Sequence, residues 1–264
     1  MNLFLKLLAR VLPLSLCMFS FPALANWDET LGVSMRQFTV AEYDRAGRQI
    51  VREQGWLPGL AGRIAFSTAP WTLFGEAGFY SRDIGYRGQT QTGIPITSTT
   101  ATGITQFNAG MAYAATDATS LFAAVEWERW RRNINGVGNV KGLQERTTTH
   151  RLLLGVETRH AWSPYGTIGA SAAVVLGRPE QLRVGFSGVL DEASFRTRSA
   201  TGLRLGLSLR PQAWPALEWV VDVDRIRVGR STDAPVSRNG TYAGTVAQPE
   251  HVKRAISVGM RYRF

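Results

Sequence analysis

Chemistry has few places to start in this chain. It carries three histidines, His150, His160 and His251, and a single cysteine, Cys17. General acid–base catalysis needs a titratable group within hydrogen-bond reach of its partner. The one couple the sequence offers is His251 with Asp233 or Ser231, in the polar stretch between residues 230 and 251. His150 has Thr148 two residues away but no serine beside it, so a Ser–His couple acting on lipid is not evident there. "VDVD" at 221–224 puts Asp222 and Asp224 on one strand face. Paired carboxylates suit a hard cation, but no carbonyl-rich loop accompanies them, and an arginine partner explains them better. "WERWRR" at 127–132 interleaves tryptophan with arginine, as sites for single-stranded nucleic acid do. At the outer end of a membrane strand, girdle tryptophans and phosphate-facing arginines are expected anyway. "GVGNVKG" at 136–142 lacks the Gly-Lys-Ser/Thr ending of a phosphate loop and reads as an external loop. No catalytic residue, metal ligand set or cofactor is expected from these residues.

The charge balance is lopsided. Of the 30 basic residues only Lys6, Lys141 and Lys253 are lysines, which leaves 27 arginines. Residues 26–264 hold 28 basic against 20 acidic side chains, a formal balance of +8. A basic chain invites a nucleic-acid reading when its charge gathers on one patch. Here the arginines are spread along the sequence, and arginine is also the residue of choice for bidentate carboxylate and phosphate pairing. Nucleic acid is therefore not expected as a partner, whereas membrane lipids and the phosphates of lipopolysaccharide are.

The elements that must carry these residues are strands. Eight tryptophans, 7 tyrosines, 12 phenylalanines and 27 glycines make a composition of strands and turns. Beyond residue 25 no run of about 18 apolar residues occurs, which excludes a helical membrane protein. Period-two alternation instead runs near 29–44, 49–67, 71–86, 102–115, 119–133, 145–159, 165–176, 197–210, 216–229 and 252–264. Short links at 68–70, 115–117, 160–164 and 210–215 alternate with longer polar ones at 87–101, 134–144, 177–196 and 230–251. Transmembrane barrels have such short periplasmic turns and long external loops. The fold class is all-β: a transmembrane, antiparallel, up-and-down β-barrel of ten strands, with eight or twelve left open by a tight first hairpin at 44–47 and by "LRVGFSGVL" (182–190). On each strand one face is greasy: Leu203, Leu205 and Leu207 oppose Arg204, Gly206 and Ser208. Trp71, Tyr113, Trp162, Tyr165, Trp214 and Phe264 are expected in the periplasmic aromatic belt, with Trp56, Trp127 and Trp130 nearer the outer interface.

The ends fit an exported protein. Residues 1–25 begin with Lys6 and Arg10, continue apolar and close on Ala23-Leu24-Ala25, which reads as a cleaved secretory signal. Residues 26–264 then form the barrel, without cysteine. The ending "SVGMRYRF" resembles the C-terminal signature of Gram-negative outer-membrane proteins, which carries an aromatic last residue. That resemblance implies an outer-membrane location and recognition by the outer-membrane assembly machinery, with Tyr262 and Phe264 as the signal. In architecture, a ten-stranded barrel with both ends periplasmic is similar to the omptin class of outer-membrane proteases. Those work through acidic pairs and an Asp–His pair high in the barrel, and this chain has no Asp-x-His.

Parity places a charge network inside: Arg36, Arg63, Glu76, Arg82, Glu126, Glu128, Arg151, Glu157, Arg204, Glu218, Asp222, Asp224 and Arg261. The expected pairs are Arg63 with Glu76, Arg151 with Glu126 and Glu128, Arg204 with Asp222, and Arg261 with Glu218. Charges in a narrow barrel are costly unless paired. The leading expectation is a non-enzymatic barrel with a largely occluded lumen and external loops, above all 177–196 and 230–251, that contact an extracellular ligand. The alternatives are a small anion-preferring, porin-like channel and a surface hydrolase acting on protein or lipid A.

Overall fold

The structure, a computed structural model, describes residues 27–90 and 93–264; the expected signal segment, 1–25, lies outside them. The wall is built from β1 (Trp27–Tyr43), β2 (Gln49–Thr68), β3 (Trp71–Gln89), β4 (Pro95–Ala114), β5 (Thr119–Ile134), β6 (Leu143–Trp162), β7 (Gly166–Gly177), β10 (Ala200–Pro211), β11 (Leu217–Val228) and β14 (Glu250–Arg263). Four shorter strands lie in the external connections: β8 (Gln181–Gly185) with β9 (Ala193–Arg196), and β12 (Ala234–Arg238) with β13 (Thr241–Val246). Neighbouring wall strands are antiparallel, β14 pairs with both β1 and β11, and β5 pairs with β6. The sheet therefore closes on itself with ten strands. Closure matters because a bilayer offers no water to an unpaired N–H or C=O.

Alternation decides which side each residue takes. Leu203, Leu205 and Leu207 are 58%, 52% and 59% exposed on the outside, while their neighbours Arg204 and Gly206 point inward to line the bore. Trp71 packs against Tyr113 at 4.9 Å, Trp162 against Tyr165 at 5.0 Å and Tyr262 against Phe264 at 5.2 Å, all at the periplasmic rim. Trp130 departs from the expected girdle. It shares the parity of Glu126 and Glu128, so it turns into the barrel, where it is buried edge-on against Phe38. Arg132 follows the same parity inward, leaving Arg129 and Arg131 of "WERWRR" outside.

The external connections hold more strand than their polarity suggests. Much of 87–101 is ladder rather than loop, because β3 and β4 stay paired out to Gln89↔Pro95. Paired strands beyond the lipid need no apolar face, so threonine-rich polar sequence continues the sheet. Within 177–196, β7 ends at Gly177, and Pro179, which lacks an amide proton, falls in the break. After it β8 resumes alongside β6 at Gln144–Thr148, so 182–190 extends the wall instead of adding a span. At the first turn Asp44 accepts the amides of Ala46 and Arg48, each at 2.9 Å, and Gly47 takes φ 78°, a left-handed conformation that glycine adopts without strain.

Candidate functional site

The inward residues of the central strands meet across the bore. Glu126 and Arg151 are direct cross-strand partners on β5 and β6. Arg151 Nη1 donates to Glu126 at 2.6 Å and Nη2 to Glu128 at 2.9 Å. From β10, Arg204 reaches Glu126 at 2.8 Å and Asp224 at 2.5 Å. Arg36 on β1 donates to Asp224 at 3.3 Å and to Gln106 at 3.1 Å, and Gln106 in turn donates to Glu126. Lys253 on β14 reaches Glu180 at 2.8 Å and Glu128 at 3.5 Å. Glu180 also receives Thr149 Oγ1 at 3.1 Å and faces His251 Nε2 at 3.2 Å. Four carboxylates (Glu126, Glu128, Glu180, Asp224) thus alternate with four cations (Arg36, Arg151, Arg204, Lys253), all buried or nearly so. Buried charge survives on pairing and hydrogen bonding of this kind, which here leaves single guanidinium nitrogens such as Arg36 Nε and Arg151 Nε unanswered.

Above this layer Arg132 is held by three carboxylates: Glu53 at 2.6 Å, Glu145 at 2.7 Å and Glu42 at 2.9 Å. Thr100 donates to Glu53 at 3.1 Å, and the Arg132 guanidinium lies 4.8 Å from the Trp130 ring. Phe38, Val40, Leu57, Tyr80, Ile84 and Ile104 pack beside that ring as an apolar plug in the external half of the bore. Below, toward the periplasm, a polar cavity of about 210 Å³ remains, lined among others by Arg63, Glu76, Glu157, Asp222 and Arg261.

Of the pairs expected from parity, Arg151 with Glu126 and Glu128 forms as read, and Arg63 approaches Glu76 at 3.6 Å. Two differ. Arg204 takes Asp224, its direct cross-strand partner, instead of Asp222, which lies opposite Gly206 and borders the cavity. Glu218 stands opposite Arg261 in register, but its ion pair is with Arg210 at 3.7 Å. Arg82 drops out of the network. It is exposed, beside the stretch where the β2–β3 ladder lapses between Gln54↔Gly85 and Gly59↔Tyr80 around Pro58. Glu157 pairs with Arg159 at the periplasmic mouth, at 3.8 Å.

The hydrolase couple does not assemble. His251 is 2% exposed and turned to Glu180 inside the barrel. Asp233 is engaged by Arg45 at 2.8 Å and by Arg230, and Ser231 Oγ donates to the Thr232 carbonyl at 2.8 Å. His150 is exposed on the outer wall opposite Trp127, as its parity requires.

Outside the bilayer the two hairpins clasp one another. Leu182, Val184 and Phe195 form a small core to which Ala234 and Val246 add. Asp191 accepts Ser237 Oγ at 2.6 Å, the Gly240 amide at 2.9 Å and the Asn239 amide at 3.1 Å. These donors, the Ser237 hydroxyl foremost, hold the Asp191 carboxyl below its ordinary value. A depressed carboxyl stabilises the clasp fully above its unfolded pKa of about 3.9 and ceases to do so as pH falls through the folded value. A spin label at Thr241→Cys, with Cys17 replaced, should therefore be immobile at neutral pH and gain mobility below about pH 4. In Asp191→Asn it should be mobile at both. A label that is equally immobile in the variant would remove Asp191 from the clasp.

No protein-family model and no curated protein matches the chain. Solved structures do. The outer-membrane protease OmpT from Escherichia coli aligns over 91% of this chain and 97% of its own, at 10% identity and a TM-score of 0.60. The translocator domain of the autotransporter NalP from Neisseria meningitidis aligns over 99% and 96%, at 13% identity and a TM-score of 0.48. Likeness at such identity is likeness of fold. The chain is an outer-membrane β-barrel of ten strands.

Proposed function

We propose that this barrel, in the outer membrane of a Gram-negative cell, serves as a closed, rigid stem that presents its clasped external hairpins to an extracellular partner. One observation supports the reading: a layer of four buried carboxylates and four cations crosses the bore and an apolar cluster packs above it, an arrangement that disfavours passage of an ion or solute. The external connections support it, since Ile94 and Val189 are exposed in the loops and Tyr242 is exposed on the β12–β13 hairpin.

Conductance across a planar lipid bilayer is the test. Purified barrel should give no unitary steps, whereas Phe38→Ala with Trp130→Ala, which empties the plug, should begin to leak. Steady anion-selective steps from the unaltered protein would overturn the stem reading in favour of a porin-like channel, for which the arginine-lined periplasmic cavity would be the vestibule. Cleavage of basic peptides or release of acyl chains, abolished by His251→Ala, would overturn it in favour of the hydrolase.

A further inference from the structure

The outer wall carries a feature the stem does not explain. On the external end of β5, β6 and β8 three arginines stand side by side in one hydrogen-bonded row: Arg131 opposite Arg146, and Arg146 opposite Arg183. The next row toward the membrane runs Arg129, Thr148, Gln181, Arg196. The row after that pairs Trp127 with His150, and the following one pairs Val125, 62% exposed, with Leu152, 38% exposed. Arg131, Arg146, Arg183 and Arg196 are exposed, and the Arg129 guanidinium sits 5.3 Å from the Trp127 ring.

Like charges directly opposite one another destabilise a sheet, and inside the barrel Arg36, Arg132, Arg151 and Arg204 are each answered by carboxylates. Among the described residues none of these five has a carboxylate oxygen within 4.0 Å. Of the acids that border the groove lined by Arg131, Arg146 and Arg183, Glu145 is taken by Arg132, and Asp83 and Glu192 pair with none of the five. Asp83 belongs to the row one step further out, with Ala101, Asn133 and Gln144. The cluster therefore lacks its counter-charge, and it lies where the apolar wall ends, at the depth of lipid headgroups.

We infer that this face is a docking site for one phosphorylated outer-leaflet glycolipid, a lipopolysaccharide carrying at least two phosphates on its lipid anchor. Charge complementarity and continuity with the lipid belt select this occupant. Arginine forks match phosphate oxygens bidentately, and cross-strand neighbours about 5 Å apart let the three-arginine row and the Arg129–Arg196 row grip separate phosphates. The acyl chains then lie down Trp127, Val125, Leu152 and Leu154, a surface that a soluble polyanion has no means to use. The inference is independent of whether the bore conducts.

The test is a titration of the folded full-length barrel in nonionic detergent with bisphosphorylated lipid A, read by native mass spectrometry and by Trp fluorescence. Lipid A should bind, and its dephosphorylated form should bind at least about tenfold more weakly, since the charge-assisted arginine forks lose their acceptors. Arg131→Ala/Arg146→Ala/Arg183→Ala should weaken binding by about tenfold or more, and Arg146→Ala alone by a smaller factor that serves if the triple variant folds poorly. Arg225→Ala/Arg254→Ala removes an outward arginine pair on the far wall and should leave affinity within about twofold. Equal loss in that control would mean a diffuse basic collar and would overturn the site. So would unchanged binding in the triple variant, indifference to dephosphorylation, or equally tight capture of an acyl-free anionic polysaccharide at the same arginines. Inorganic phosphate that displaces lipid A at micromolar levels would likewise show a free-anion site instead.

Discussion

Arg132→Met should be the most damaging single substitution in the barrel. Arg132 is 3% exposed and, among the described residues, is the one cation bonded to Glu42, Glu53 and Glu145. Removing one partner of a buried pair costs about 3–5 kcal/mol, because the other charge is left in a poor solvent. Here three carboxylates from β1, β2 and β6 would be stranded together, so the loss should reach or exceed that range. Thermal unfolding in detergent, followed by circular dichroism or by the heat-dependent gel shift of folded barrels, should move down by roughly 10 °C or more. The three acids are not equal. Glu53 is fully buried and accepts both Arg132 and Thr100, so Glu53→Gln should also destabilise. Glu145 adds a third negative charge to a cluster with one positive, and Glu145→Gln keeps an acceptor for Arg132, so that variant should unfold at or above the parent temperature. If Arg132→Met unfolds like the parent, or Glu145→Gln behaves like Glu53→Gln, the cluster is solvated and does not work as a buried ionic knot.

How much of this was legible depends on which physical rule governs each residue. Parity along a strand is rigid, and it correctly gave the greasy exterior, the inward Glu126, Glu128, Arg151 and Asp224, and the strand count. The same rule also reaches Arg132, Trp130 and Lys253, since each shares parity with a recognised inward charge on its own strand; the tryptophan–arginine texture of 127–132 drew attention outward instead. Partner choice was less legible. Parity says that Arg204 looks inward, but only register shows it opposite Asp224 rather than Asp222. Glu180 and the buried role of His251 were beyond reach, because they depend on where β7 breaks at Pro179 and β8 resumes, folding a residue from an external connection back over the bore. Arg82 failed for a similar reason: the ladder lapse around Pro58 is a local event that alternation does not record. Polarity misled at 87–101, since outside the lipid a paired strand and a loop have the same composition.

The central layer yields a different result from the knot above it, because its charges balance. Arg151→Met should cost about 3–5 kcal/mol, as it strands Glu126 and Glu128 at side-chain exposures of 0% and 6%. Arg204 and Lys253 would still hold one oxygen of each, which sets this loss below that of Arg132→Met. Adding Glu128→Gln to Arg151→Met removes one charge of each sign and leaves three carboxylates against three cations, and most of the stability should return, because a buried ion pair replaced as a unit is often close to neutral. What should not return is rigidity across the bore. Arg36, Gln106, Glu126, Arg151, Arg204, Asp224 and Lys253 link seven wall strands through side chains alone, so the charge-balanced double variant should unfold near the parent temperature yet exchange its β5 and β6 amides faster in hydrogen-exchange measurements. Recovered stability together with parent-like exchange would show that the ladders hold the wall by themselves, and that the charge layer only fills the space it occupies.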